Sequence, residues 1–128
     1  PGGNERLLIV DDEHVIAEMT RLLFQKLGYT IQTAPGGDEA LEIFNSDPYN
    51  FDLIITDQVM PGMSGLELTR EIKKIRPEIP VILCTGYSDI AEPVKAKELG
   101  VNEFLSKPVL TEDLAGAIRR VLDSIKKE

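Results

Sequence analysis

Five residues carry most of the chemistry this sequence can offer: Asp11, Asp12, Asp57, Thr85 and Lys107. Each closes or directly follows a short run with strand character. Arg6–Val10 (RLLIV) gives way to Asp11 and Asp12, and Leu53–Thr56 (LIIT) gives way to Asp57. Val81–Thr85 (VILCT) ends on a hydroxyl, and Asn102–Ser106 (NEFLS) is followed by Lys107 and Pro108. Three carboxylates gathered at one edge repel each other, at roughly 1–4 kcal/mol for each pair near 4 Å. A divalent cation relieves that repulsion, and an all-oxygen ligand set favours Mg2+ (or Mn2+). Mg2+ is commonly shared between a few carboxylates and a phosphate oxygen, so the pattern suits a phosphoryl group. Lys107 can neutralise one oxygen of that group as a point charge, and the Thr85 hydroxyl can bond another. Asp57 has the chemistry of a nucleophile that forms an acyl phosphate by in-line transfer.

Singly, each of these residues has an ordinary explanation. An Asp-Asp pair after a strand can cap a helix, a threonine suits a strand end, and a Lys-Pro pair says little. The set is more specific, because its members fall at four of five expected strand ends.

The elements that must position them can be read from periodicity. The runs at Arg6–Val10, Leu53–Thr56 and Val81–Thr85 suit parallel strands covered on both faces. Thr30–Ala34 (TIQTA) and Asn102–Ser106 are more amphipathic, as strands nearer an edge would be. Apolar residues recur at three and four through Val15, Ile16, Met19, Leu22, Leu23 and Leu27, marking a helix that Gly28 stops. A second helix opens near Gly37–Asp38, and a third runs through Leu66, Leu68, Ile72 and Ile75 to end before Pro77. A fourth, short helix is expected to start near Ala91–Pro93, because proline is tolerated only in a first turn. The fifth carries Leu114, Ala117, Ile118, Val121, Leu122 and Ile125, with Thr111 as its expected N-cap. Alternating strands and helices predict one α/β domain with a doubly wound, five-stranded parallel sheet. Ligands of such sheets sit beyond the carboxyl ends of the strands, where the five residues lie.

The chain has 128 residues with 42% hydrophobic and 28% charged residues, enough apolar content for a packed core. Its formal net charge of -8 argues against direct nucleic-acid binding by this chain. One cysteine, Cys84, excludes an internal disulfide and reads as a small buried hydrophobe. No apolar run reaches the ~20 residues of a membrane span, and a cytoplasmic location is expected. Residues 1–5 are expected to be a cloning scar or linker, with the domain covering 6–127.

With these residues in order, the sequence resembles the receiver domain of two-component response regulators. The resemblance rests on IVDDE at Ile9–Glu13, DQVMPGMSG at Asp57–Gly65, TGY at Thr85–Tyr87 and FLSKP at Phe104–Pro108. It implies a (βα)5 flavodoxin-like fold with strand order 2-1-3-4-5. It implies Asp57 as phosphoacceptor, Asp11 and Asp12 as the metal pair, and the Val59 backbone carbonyl as a further ligand. Thr85 matches the switch hydroxyl, Lys107 the phosphate-binding lysine, and Phe104 the aromatic that changes rotamer on activation. A cis Lys107–Pro108 bond is implied as well. The implied partners are a histidine kinase or histidine phosphotransfer protein and an output partner or domain. The implied response is a change of shape at the face of the fourth helix, fifth strand and fifth helix. Such a module is regulatory and not an enzyme in its own right.

At positions that tune phosphoryl lifetime, Val59 offers no side-chain amide to place a hydrolytic water, and Tyr87 can shield the acyl phosphate; slow decay is expected. The phrases ITDQVMPGMSG and Ile82–Tyr87 (ILCTGY) also resemble receivers of hybrid sensor kinases in a phosphorelay. An Asp-nucleophile phosphatase is a less favoured reading. It would want an Asp-x-Asp pair on the first strand and a cap insertion. A flavin-binding module would want a Ser/Thr/Gly-rich loop where Asp11, Asp12 and Glu13 stand.

Overall fold

The structure is a computed structural model that describes residues 2–86 and 99–126. Five strands form one parallel sheet in the order β2-β1-β3-β4-β5. They are β1 (Arg6–Val10), β2 (Thr30–Ala34), β3 (Leu53–Asp57), β4 (Val81–Thr85) and β5 (Glu103–Ser106). Between them run α1 (His14–Lys26), α2 (Gly37–Ser46) and α3 (Gly65–Ile75), and a C-terminal helix spans Thr111–Lys126. The amphipathic strands β2 and β5 take the two edges, and the all-buried β3 and β4 lie inside. The helix expected near Ala91–Pro93 and the residue Tyr87 lie outside the described residues.

Strand alternation divides the core in two. Leu7, Ile9, Leu53, Ile55 and Ile82 face Phe24 of α1 and Ala117, Ile118 and Val121 of the C-terminal helix. Leu8, Val10, Ile54, Val81 and Leu83 face Ala40 and Phe44 of α2 and Leu68 and Ile72 of α3. Burial on both faces explains the unbroken apolar runs in the sequence.

α1 departs from what its periodicity suggests. Ala17 and Phe24 are its buried residues. Val15, Ile16, Met19, Leu22, Leu23 and Leu27 are all exposed, from 38% at Leu27 to 69% at Val15. Their spacing located the helix, but it did not identify the face that the sheet covers. A cleft of about 570 Å3 separates α1 from the C-terminal helix, lined by Ile16, Leu23, Val109 and Leu114 and reaching Asp57.

The inner part of the segment expected to be a scar or linker packs onto the fold. Arg119 of the C-terminal helix donates to both carboxylate oxygens of Glu5 at 2.9 Å, to Asp123 at 2.7 Å and to the Tyr29 hydroxyl at 3.1 Å. Glu5 is 8% exposed, and Gly3 N donates to Leu27 O at 3.2 Å. Removing the guanidinium takes two charge-assisted hydrogen bonds from the shielded Glu5 carboxylate. Arg119→Met should cost about 1–2 kcal/mol, since hydrogen bonds to charged groups contribute about that much each and part of this cluster is wet. Urea unfolding of the two proteins checks this.

Candidate functional site: an acidic cluster at the carboxyl edge

Sheet register gathers the site. Val10 pairs with Thr56, so Asp11 and Asp57 sit at neighbouring levels at the ends of adjacent strands. Asp57 pairs with Cys84, which places Thr85 one step beyond it. Thr85 pairs with Ser106, and Lys107 follows directly, its backbone N donating to Thr85 O at 2.8 Å. Three strand pairings thus bring together residues that are 22 to 96 positions apart in sequence without requiring any long side-chain reach.

Asp11, Asp12 and Asp57 each offer a carboxylate oxygen, and these atoms lie within 4.8 Å of one another. Asp11 and Asp57 are buried, while Asp12 faces solvent. Asp11 Oδ1 also accepts from Glu13 N at 2.9 Å, which fixes the turn into α1. Lys107 Nζ lies 3.0 Å from Asp57 Oδ2. That oxygen is shut off from water and makes no well-aligned hydrogen bond among the described residues. Burial, and then the neighbouring Asp11, push the Asp57 carboxyl up to about 7, against the opposing pull of Lys107. Burial lowers Lys107, but its pairing with Asp57 and the charges of Asp11 and Glu13 outweigh this and leave it raised. Both shifts are compatible because Asp57 feels its burial and Asp11 more strongly than it feels the lysine. The donor set is all oxygen, crowded and short of positive charge, which fits a hard divalent cation.

Thr85 is 6% exposed at the end of β4. Phe104 of β5 is half-buried against the α2/α3 side of the core. Val59 is 60% exposed in the loop after β3. The Lys107–Pro108 peptide bond is cis. Cys84 is buried among apolar residues, and burial pushes its thiol up to about 12. A thiol held that far up is unreactive.

The matching family spans most of the chain: residues 7–119 match the response regulator receiver domain. The chain belongs to that family. A crystal structure of a receiver domain from Clostridium thermocellum is similar with a TM-score of 0.90 and 37% identity, over 95% of this chain and 97% of that one. A Thermotoga maritima response regulator, TrrA, solved in complex with Mg2+-BeF, has a TM-score of 0.81 and 37% identity, over 92% and 99% of the two chains. Among curated relatives, a probable transcriptional regulator ycf27 of Cyanidium caldarium is 38% identical over 94% of this chain but 47% of its own length. The transcriptional regulatory protein GlrR of Escherichia coli is 38% identical over 91% of this chain and 26% of its own. The receiver domain therefore spans half or less of these two relatives. It is a regulatory module of a two-component system, and its described helices include none long and apolar enough to cross a membrane.

One feature of the receiver's loop after β3 escaped the sequence reading. Ser64 and Glu67 form a reciprocal capping box at the start of α3, with Glu67 N donating to Ser64 Oγ at 3.2 Å and Ser64 N donating to Glu67 Oε1 at 3.1 Å. The Ser-x-x-Glu spacing signals this in the sequence. The glycines of the loop also serve different ends. Gly62 has a φ of +79°, which demands glycine. Gly65 has no positive φ; a Cβ there would meet the Asp57 carbonyl oxygen at 2.3 Å. Gly65 is required by the close approach of α3 to the end of β3.

Proposed function

We propose that Asp57 accepts a phosphoryl group from a phosphohistidine of a histidine kinase or histidine phosphotransfer protein. The observation that carries this reading is the convergence of three carboxylates within 4.8 Å, with Lys107 Nζ 3.0 Å from one of them. In the transfer, an ionised Asp57 oxygen attacks phosphorus in line and the P–N bond breaks. The imidazole leaves and takes up a proton, and Asp57 becomes a mixed anhydride. Asp11, Asp12, Asp57 and the Val59 carbonyl would hold Mg2+ (or Mn2+), which when bound supplies positive charge that keeps Asp57 ionised and screens the phosphoryl oxygens. Lys107 stands beside Asp57 to neutralise an oxygen of the transferred group. Thr85 then bonds a phosphoryl oxygen, Phe104 moves, and the face bearing β5 and the C-terminal helix changes its preference for an output partner. Val59 carries no amide that could place water, which supports slow hydrolysis.

The exposed stripe on α1 supports a protein donor. Val15 and Ile16 follow within five residues of Asp11, and Met19, Leu22 and Leu23 continue the apolar surface away from the site. A helical donor can pack there while it presents phosphohistidine to Asp57. Leu22→Glu should reduce transfer from a cognate phosphohistidine protein about tenfold or more, as loss of one central contact does. Labelling by acetyl phosphate should stay at the parent rate.

Incubation with acetyl phosphate and Mg2+, followed by intact mass, tests the reading. The phosphoacceptor reading expects one phosphoryl per chain. Multiple-turnover release of phosphate from phosphomonoesters with no labelled protein would favour a phosphatase instead.

A further inference from the structure

The residue after the phosphoacceptor, Gln58, ties the loop that follows it at both ends. Its backbone N donates to Cys84 O at 2.9 Å, extending the pairing of β3 and β4 by one residue. Its carbonyl accepts from Gly65 N at 2.9 Å. Its side-chain Oε1 accepts from Leu66 N, also at 2.9 Å. Four N–H groups at a helix start have no partner within the helix. At α3 these are the N–H groups of Ser64 to Glu67: Gln58 accepts from Gly65 and Leu66, Ser64 Oγ accepts from Glu67 N, and Glu67 Oε1 accepts from Ser64 N. The six residues Val59–Ser64 therefore form a loop closed at its base by one side chain and one carbonyl of the same residue. Val59, at the first position of that loop, has an exposed side chain with little packing to restrain it. Met60 is buried against the α2/α3 side of the core and anchors the next position.

We propose that Gln58 is a positioning residue for the cation site: its amide oxygen holds the loop base so that the Val59 carbonyl stands at a fixed place beside Asp57. This rests on the reading of Val59 and the three aspartates given above. Groups that orient metal ligands without touching the metal commonly change affinity 10–100-fold when removed. A plain helix cap would behave differently. Its loss would lower stability and leave cation affinity unchanged.

Gln58→Met keeps the length of the side chain and removes the acceptor, while Gln58→Glu retains an acceptor oxygen. Both sit at a half-exposed position, and each is titrated with Mg2+ alone by backbone amide NMR beside the parent. In the Met variant the Leu66 amide should exchange with solvent about tenfold faster or more. Its Mg2+ dissociation constant should rise about tenfold. Its labelling by acetyl phosphate should be slow at low Mg2+ and recover at saturating Mg2+. The Glu variant should keep Leu66 protected and bind Mg2+ at least as tightly as the parent. A Met variant that binds Mg2+ like the parent, with only a lower thermal midpoint, overturns the proposal and leaves Gln58 a helix cap. Absence of Mg2+-dependent shifts at Asp11, Asp12 and Asp57 in the parent overturns the underlying reading, and the role of Gln58 falls with it.

Discussion

Asp57→Asn should abolish phosphoryl uptake and at the same time make the cation-free protein more resistant to heat. The first effect follows from removing the proposed nucleophile. The second follows from the site's electrostatics: burial and Asp11 push Asp57 up to about 7 from 3.8, so its ionised form is disfavoured in the folded state. A carboxyl raised on folding contributes stability fully below its unfolded value, near pH 4. That contribution is lost as pH rises through about 7. The neutral amide escapes this loss. The thermal midpoint of Asp57→Asn should therefore exceed that of the parent by little near pH 4 and by most above pH 8. A gain of several degrees is expected, since each 1 kcal/mol moves a domain of this size by roughly 3–6 °C. Added Mg2+ should narrow the gap by stabilising the parent far more than the variant. Differential scanning calorimetry from pH 4 to pH 9, with and without Mg2+, measures all three. Equal midpoints for parent and variant at pH 8 without Mg2+ would contradict the electrostatic account.

Gly65→Ala should be the most disruptive single-methyl change near the site. The added Cβ would lie 2.3 Å from the Asp57 carbonyl oxygen, 3.0 Å from its carbonyl carbon and 2.7 Å from Leu83 Cδ1. Two of these three atoms are backbone and cannot rotate away. Relief requires α3 to back off from β3, which stretches the 2.9 Å bond from Gly65 N to Gln58 O. Overpacking against immobile atoms costs about 2–4 kcal/mol. The midpoint should fall by roughly 10 °C, and Mg2+ affinity should fall with it because the loop carrying Val59 moves. Urea unfolding and Mg2+ titration of the same variant check both. A variant of parental stability would mean that α3 is not seated as close to β3 as described.

The sequence made some of this legible and hid the rest for identifiable reasons. Buried parallel strands carry no polar face, so RLLIV, LIIT and VILCT stand out, and the acids after them mark the strand ends. The sheet order and the convergence of Asp11, Asp12 and Asp57 then follow from strand register, which a one-dimensional pattern can locate but not measure. α1 shows the limit of periodicity. Six apolar residues at helical spacing face outward, while a lone alanine and a phenylalanine make its seat on the sheet. Apolar spacing cannot separate a face that meets the core from one kept for a partner. Gln58 was invisible for another reason. Its contact spans eight residues and depends on how tightly Gly65 lets α3 approach. Arg119 and Glu5 lie 114 residues apart, and no local signal joins them.

The central claim is that Asp57, and no other carboxylate of the cluster, takes the phosphoryl group. Borohydride reduction after incubation with acetyl phosphate and Mg2+ converts an acyl phosphate to an alcohol and leaves free carboxylates untouched. Peptide mapping of the reduced protein should find homoserine in place of aspartate at position 57 alone. Homoserine at position 11 or 12, or unmodified aspartate at position 57 in protein that has gained a phosphoryl group, would contradict the account.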